Sequence, residues 1–190
     1  MMKIKYLVIG MFLILVIIPS VCFAKKPTGT VIDEETGKPV EGAVAICIWR
    51  RGEFSLNGLF EGGFEVVSKI IETTSDKDGN FYIPGYWGIN IISQPNLNVY
   101  KFGYVLWDSN SIFMDGERSD FNKDNRIVIL QKWPKDFSFV RHFSYIYSAT
   151  GGAFSKSEKQ LFENEYQKER PYFSKEIATR DRSQNSKGGN

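Results

Sequence analysis

Short runs of apolar and β-branched residues, separated by glycine, proline and asparagine, dominate residues 29–132. Residues 43–50 (AVAICIWR) are apolar at both alternating positions, which is typical of a central strand covered on both faces. Phe64–Thr74 (FEVVSKIIETT) is rich in β-branched residues, and shorter runs follow it as far as residues 126–132 (RIVILQK). Many short strands with such turns predict an all-β sandwich.

The apolar period changes after Trp133 and Pro134, because proline donates no ladder hydrogen bond and restricts the residue before it. The next segment has a helical pattern. Five large apolar residues share one face of it: Phe139, Val140, Phe143, Ile146 and Tyr147. Asp136 is suited to the N-cap of this helix and Gly151 to its end. Because a short helical tail would not form a core alone, we expect this face to pack against the strands or against residues 54–60.

A second helical segment follows, with Ser155 or Ser157 as its capping residue and Pro171 as its end. Residues 174–190 contain too little apolar surface to pack, so we expect them to be disordered. The predicted organisation is a signal peptide at residues 1–24, a β-sandwich at 28–132, a helical appendage at 133–173 and a disordered tail at 174–190.

Residues 1–24 have the layout of a secretory signal peptide. Two lysines precede the apolar residues 6–18, and the segment ends with small residues at Cys22 and Ala24. We expect cleavage after Ala24, which predicts a periplasmic or secreted protein. The alternatives are an uncleaved membrane anchor and a lipid attached to Cys22.

The mature chain is formally neutral, because loss of two signal-peptide lysines reduces the 24 basic residues to 22, against 22 acidic ones. We therefore expect no nucleic-acid partner, and membrane contact only through an uncleaved N-terminal segment. Cys47 is the one cysteine of the mature chain, so no intramolecular disulfide is expected. We interpret Cys47 as a small buried hydrophobe and His142, the one histidine, as a surface or core-edge residue.

Three segments of the strand region carry a recognisable pattern. They are GTVIDEETGKPVEGAVA at residues 29–45, TTSDKDGNFYI at residues 73–83 and VYKFGYV at residues 99–105. Their order and spacing resemble the carboxypeptidase regulatory-like domain, with one departure, Ser75, inside the second segment. The resemblance implies a seven-stranded, immunoglobulin- or transthyretin-like antiparallel sandwich. It also implies a module without catalytic activity or cofactor, which serves folding, spacing or binding.

The sequence itself also favours a protein without catalytic activity. A zinc carboxypeptidase requires an H-x-x-E motif and a second, distant histidine. Here the single histidine, His142, opens the sequence HFSY. An enzyme that used Cys47 as its nucleophile would need His142 beside it in an open cleft.

The segment TTSDKDGNFYI presents a choice between a metal site and a turn. Asp76, Asp78 and Asn80 alternate as at the start of a calcium-binding loop, but the sixth and twelfth positions lack the required Gly and Glu. Asp76 is suited to accept hydrogen bonds from N–H groups farther along the turn, and Gly79 to adopt a positive φ. We therefore interpret Asp76, Asp78 and Gly79 as a structural turn between two strands.

A second acidic segment, at residues 115–126, is also compared with the pattern of a calcium-binding loop. Asp120, Asn122 and Asp124 alternate there, and the sixth and twelfth positions again lack Gly and Glu. We interpret the segment as a solvated loop, with a loosely assembled calcium site as the alternative.

The combined prediction is an exported, non-enzymatic β-sandwich module that binds or scaffolds a protein or glycan of the cell envelope. The alternative is a carbohydrate- or calcium-dependent adhesion domain. Sugar binding would require an exposed, flat row of indoles. The candidates for that row are Trp87, Trp107 and Trp133.

Overall fold

The computed structural model describes residues 26–53, 64–88 and 95–185. The predicted signal peptide, the loop at residues 54–60 and residues 186–190 lie outside the described residues. The strands are β1 (Gly29–Asp33), β2 (Val44–Glu53), β3 (Phe64–Thr74), β4 (Asn80–Phe81), β5 (Asn96–Tyr100), β6 (Trp107–Asp108), β7 (Ser111–Ile112), β8 (Gly116–Glu117) and β9 (Ile127–Leu130). The α-helices are α1 (Phe139–Thr150), α2 (Leu161–Gln167) and α3 (Arg170–Asn185), with a 3-10 turn at Ala153–Lys156.

The strands form three sheets in the described part of the chain. Their orders are β4-β1-β9, β3-β2-β5-β6 and β7-β8. All pairs are antiparallel except β1 with β9, which run parallel with Thr30 opposite Ile127. The described residues contain nine strands, whereas the resemblance implied seven. β4, β6, β7 and β8 have two residues each.

β2 lies between β3 and β5, and its two faces are covered by two different buried clusters, so its side chains are apolar on both faces. Ala45 and Cys47 belong to one buried cluster, whereas Val44, Ile46 and Ile48 belong to another. The prediction of a central, doubly covered strand from residues 43–50 is confirmed.

The first buried cluster joins the three-stranded and four-stranded sheets. Val31, Val128 and Leu130 come from β1 and β9, and they share the cluster with Leu97 and Val99 of β5. Each such side chain contributes roughly 1.5–3 kcal/mol when it is removed from water. This shared core holds the two sheets together.

The second buried cluster lies between the four-stranded sheet and the helical tail. Ile46 and Tyr100 of the sheet share it with Ile146 of α1, Phe154 of the 3-10 turn and Phe162 of α2. The expected packing of the first helix against the strands is therefore confirmed. The tail covers the face of β2 that points away from the three-stranded sheet.

The turn at residues 76–80 has the hydrogen bonds of a tight connection. The carboxylate of Asp76 accepts from the N–H of Asp78 at 3.0 Å and from that of Asn80 at 2.8 Å. Gly79 has φ +77°, and its carbonyl accepts from the Val31 N–H at 2.8 Å. The turn is therefore tied to β1 as well as closed on itself.

The helix boundaries differ from the predicted ones. Ser138, not Asp136, is the N-cap of α1, and Gly151 ends that helix in the left-handed conformation as expected. Pro171 lies in the first turn of α3 instead of ending a helix, because its missing N–H has no intrahelical partner there. α3 continues to Asn185, so the prediction of disorder after residue 173 is corrected for the described part of the tail.

Among all the described residues, no helix is long and apolar enough to cross a membrane.

Candidate functional site

A groove of about 550 Å³ runs along the outer side of β3. One wall is formed by residues 66–72 of this strand, and the other by residues 156–159 of the tail. Within the described residues β3 pairs with β2 alone, so it is an edge strand of eleven residues. The groove therefore lies beside a strand edge that pairs with no further strand among the described residues.

The main chain of β3 presents hydrogen-bonding groups to this groove. Successive residues of an antiparallel strand direct their main-chain groups alternately toward and away from the neighbouring strand. The N–H of Ser75 donates to the Ala43 carbonyl at 2.9 Å, so Ser75 faces the β2 side. By alternation, Ile70 and Glu72 face away from β2. The amine of Lys159 confirms this direction, because it donates to the Glu72 carbonyl from the groove side at 3.1 Å.

The outer wall of the groove is fixed to β3 by a buried carboxylate. Glu72 is 1% exposed, and its two oxygens accept from the N–H groups of Leu161 at 2.9 Å and Phe162 at 3.2 Å. These are orphan donors at the start of α2. Neither Ser155 nor Ser157 caps this helix, whose N-cap, Gln160, makes no side-chain hydrogen bond.

The charge that lines the groove is predominantly positive. Lys69, Lys156 and Lys159 are exposed, and Glu158 is the exposed acid among the lining residues. The carboxylate of Glu72 is buried and already bonded. Lys69 also lies over the Trp49 ring, 5.0 Å from its centroid. The groove is therefore suited to a partner of negative charge.

His142 is fully buried, which corrects its interpretation as a surface or core-edge residue. Its Nε2 accepts a hydrogen bond from the Leu106 N–H at 2.9 Å. Its Nδ1 lies 2.6 Å from an oxygen of Glu169, which is 2% exposed. Both ring nitrogens are therefore engaged.

Cys47 and His142 lie on opposite sides of the four-stranded sheet. Cys47 belongs to the cluster shared by the two sheets, whereas His142 contacts Tyr100 on the helical side. Burial raises the pKa of the Cys47 thiol well above its ordinary value. The arrangement that a cysteine nucleophile requires does not form between these two residues.

The acidic loop at residues 115–126 is closed by its own hydrogen bonds. The side-chain oxygen of Asn122 accepts from the N–H groups of Asp124 at 2.8 Å and Asn125 at 2.9 Å. Asp120 lies 3.4 Å from the guanidinium of Arg118. Over residues 26–53, 64–88 and 95–185, no three His, Cys, Asp or Glu side chains group in a way that could hold a metal ion.

The three candidate tryptophans do not form one exposed row. Trp107 is 3% exposed and packs edge-on against Phe121 in the core. Trp87 is half-buried and donates to the Thr28 carbonyl at 3.0 Å. Trp133 contacts the helical tail instead, where it stacks on Phe139. The geometry required by the sugar-binding alternative is absent from these three residues.

Sequence reasoning missed the two buried glutamates, Glu72 and Glu169. Glu72 lies between Ile70-Ile71 and Thr73-Thr74, which is a weak signal for a polar group with a structural partner. Glu169 follows a polar helical segment and carries no local signal. Its importance depends on His142, which lies 27 residues earlier.

Comparison with known proteins assigns no family. No protein-family model matches this chain, and a search of curated proteins finds no match. The resemblance to the carboxypeptidase regulatory-like domain therefore rests on the motifs in residues 29–105.

Proposed function

We propose that this protein is an exported, non-catalytic β-sandwich module that binds an extended, acidic segment of a protein partner in the periplasm or at the cell surface. The binding site is the groove beside β3. The bound segment adds to the four-stranded sheet as a further strand.

The observation that carries this proposal is the outer edge of β3, which pairs with no strand among the described residues. An extended peptide can pair with such an edge through main-chain hydrogen bonds, and pockets beside the edge then select its side chains. The main-chain groups of Ile70 point away from β2, and Ile70 lines the groove. The wall at residues 156–159 would limit the mobility of a bound segment, because Glu72 and Lys159 tie it to β3.

The acidic character of the partner follows from the exposed lysines. Lys69, Lys156 and Lys159 border the groove against one exposed acid, Glu158. Complementary charge accelerates association and selects among partners more than it raises affinity. The proposal therefore predicts a salt-dependent interaction.

The sandwich and the lack of catalysis belong to the same proposal. A sandwich is supported by the core that the three-stranded and four-stranded sheets share. A non-catalytic role is supported by the burial of Cys47 and by the engagement of both nitrogens of His142. Export is supported by the signal-like residues 1–24.

The test is fluorescence anisotropy of the mature protein with a labelled synthetic peptide of alternating aspartate and valine. A peptide of alternating lysine and valine is the charge control. Ile70→Pro removes an outward N–H from β3, and Lys69→Glu together with Lys156→Glu reverses the charge of the groove. Ile129→Pro is the control variant, because it introduces a proline into β9, an edge strand of the other sheet.

We expect the acidic peptide to bind more tightly than the basic one, and both groove variants to weaken it at least tenfold. Ile129→Pro should leave binding unchanged. Equal binding of the two peptides, or equal effects of the two proline variants, would overturn the proposal. Circular dichroism establishes that each variant is folded.

A further inference from the structure

A second concave site lies in the helical tail, away from β3. It is a pocket of about 170 Å³. Its lining residues are Phe102, Gly103, Trp133, Phe139, Glu169 and Tyr172. Trp133 stacks on Phe139 with ring centroids 4.5 Å apart, and Phe139 stacks on Tyr172 at 5.0 Å. Aromatic residues therefore form most of the lining, and Glu169 is its one acidic residue.

The carboxylate of Glu169 is incompletely satisfied. One oxygen lies 2.6 Å from Nδ1 of His142, but the other has no hydrogen-bond partner among the described residues. Buried polar atoms nearly always have a partner. Burial, and after it the neighbouring Glu169, raise the pKa of Tyr100, so this hydroxyl stays neutral and could not balance a charge on Glu169.

The histidine does not neutralise Glu169 either. Because the Leu106 N–H donates to Nε2, that nitrogen carries a lone pair, and the proton of the neutral ring lies on Nδ1. A neutral His142 therefore supplies no positive charge to the Glu169 carboxyl group. A buried charge without a counter-ion is strongly unfavourable.

The neighbouring basic side chains have other partners. Lys168 pairs with Glu165, and Arg170 donates to the side chain of Gln167. Neither of them lines the pocket. The environment of Glu169 is thus suited to a cation supplied from outside the chain.

We propose that this pocket binds a quaternary ammonium group. The faces of aromatic rings attract such cations, and the Glu169 carboxylate supplies the opposite charge. A primary ammonium would need acceptors for three N–H donors. Glu169 is the one acidic residue of the lining, and the Gly103 carbonyl already accepts from the backbone N–H of Trp133 at 2.9 Å. A methylated ammonium has no N–H donors to satisfy.

The size of the pocket limits the ligand to a small head group. Pockets for drug-sized molecules measure roughly 300–1,000 Å³, whereas this one measures about 170 Å³. The ammonium could belong to a free compound such as choline or to the head group of a choline lipid. This site shares no lining residue with the β3 groove, so the proposal stands independently of peptide binding.

The first test is a titration of the mature protein with choline, followed by the indole N–H signal of Trp133 in NMR spectra. The neutral isostere 3,3-dimethylbutan-1-ol and the primary amine ethanolamine are the matched ligands. We expect both to bind at least tenfold more weakly than choline. Equal response to choline and the neutral isostere, or no response to choline, would overturn the proposal.

Two variants measure separately how the charge of Glu169 and the ring of Tyr172 contribute to choline binding. Glu169→Gln retains the shape and removes the charge, and Tyr172→Leu removes a ring that is 48% exposed, so it does not endanger the core. Each should weaken choline binding at least tenfold. Tyr147→Leu, on a 60% exposed ring outside the pocket, is the control and should change nothing. Unchanged choline binding by folded Tyr172→Leu would contradict the aromatic site even if Glu169→Gln fails to fold.

Vesicles distinguish the two sources of the ligand. Co-sedimentation with phosphatidylcholine vesicles but not with phosphatidylglycerol vesicles, lost in Tyr172→Leu, would assign the site to a lipid head group. Choline binding without such co-sedimentation would assign it to a free compound. Both results support a quaternary ammonium site.

Discussion

The carboxylate of Glu72 accepts a hydrogen bond of 2.9 Å from the backbone N–H of Leu161, 89 residues farther along the chain. Through this contact an edge strand of the sheet caps a helix of the tail. α2 has only seven residues, and an isolated helix of that length is not stable in water. The position of α2, and with it one wall of the β3 groove, therefore depends on tertiary contacts such as this one.

Glu72→Ala should lower the free energy of unfolding by about 1.5–3 kcal/mol, because both hydrogen bonds of the carboxyl group are lost and the buried Phe162 N–H is left without a partner. Urea denaturation of the mature protein measures this change. Glu65→Ala is the matched control, since Glu65 is an exposed residue of the same strand. If both variants have the same midpoint, the carboxylate of Glu72 does not stabilise α2.

Gly79→Val should destabilise the protein because Gly79 has φ +77°, where a β-branched residue is strained by about 1–3 kcal/mol. A Cβ atom at this position would also lie 2.4 Å from the Val31 carbonyl oxygen. Gly52→Val tests the same substitution where no atom of the described residues lies within 4 Å of the added Cβ. Thermal unfolding should show a clear loss for Gly79→Val and a smaller change for Gly52→Val. An unchanged midpoint for Gly79→Val would contradict the proposed role of this turn.

Asp33 should make the stability of the fold decrease in acid. Burial alone would raise the pKa of Asp33, but hydrogen bonds from Thr36 and Tyr104 and the charge of Lys132 lower it to about 2, from an ordinary 3.8. As the pH falls below the ordinary value, the unfolded chain binds the proton first, so stability decreases until the pH passes the folded pKa.

The Asp33→Asn variant should lose this dependence between about pH 5 and pH 2. Urea midpoints measured across that range provide the test. Asp115→Asn, at an exposed position, should retain the wild-type slope. A slope that is the same in Asp33→Asn and the wild-type protein would contradict the role of Asp33.

Local patterns predicted the elements whose conformation depends on near neighbours. β2 and β3 follow from their apolar and β-branched runs, and Gly79 from the conformation that a tight turn requires. The parallel pairing of β1 with β9 could not be predicted in this way, because it joins segments about a hundred residues apart. α3 was missed because its sequence has little apolar surface. One of its residues, Glu176, nevertheless accepts a hydrogen bond from Ser138 at the start of α1.

The candidate sites depend still more on distant contacts. The β3 groove requires both an edge strand and the segment at residues 156–159, and no local signal joins them. Sequence reasoning singled out His142 but expected it near the surface, because an isolated histidine shows no partner in the sequence. Its partner, Glu169, is brought to it by the packing of α1 against the later helices.

Calorimetric titration with calcium should detect no site tighter than about millimolar, the weak end of known calcium modules. The Asn122 side-chain oxygen already accepts two backbone hydrogen bonds, and Asp120 lies beside Arg118. Asp120→Ala and Asp78→Ala compare the two acidic alternations. Micromolar binding that disappears with Asp120→Ala would establish the looser calcium site in residues 115–126.

The helical tail should be required for the stability of the sheet. Phe162 is fully buried against Phe154 and Tyr100, so Phe162→Ala should cost about 3–5 kcal/mol, whereas Tyr147→Ala, at a 60% exposed ring, should cost little.

Removal of the chain after Pro134 would expose the helical face of β2 to water. We expect the truncated protein to unfold at lower urea concentration or to aggregate, measured by denaturation and by size-exclusion chromatography. A truncated protein as stable and monomeric as the mature chain would mean that the tail does not stabilise the sheet, and its apolar face would then be a candidate surface for a partner.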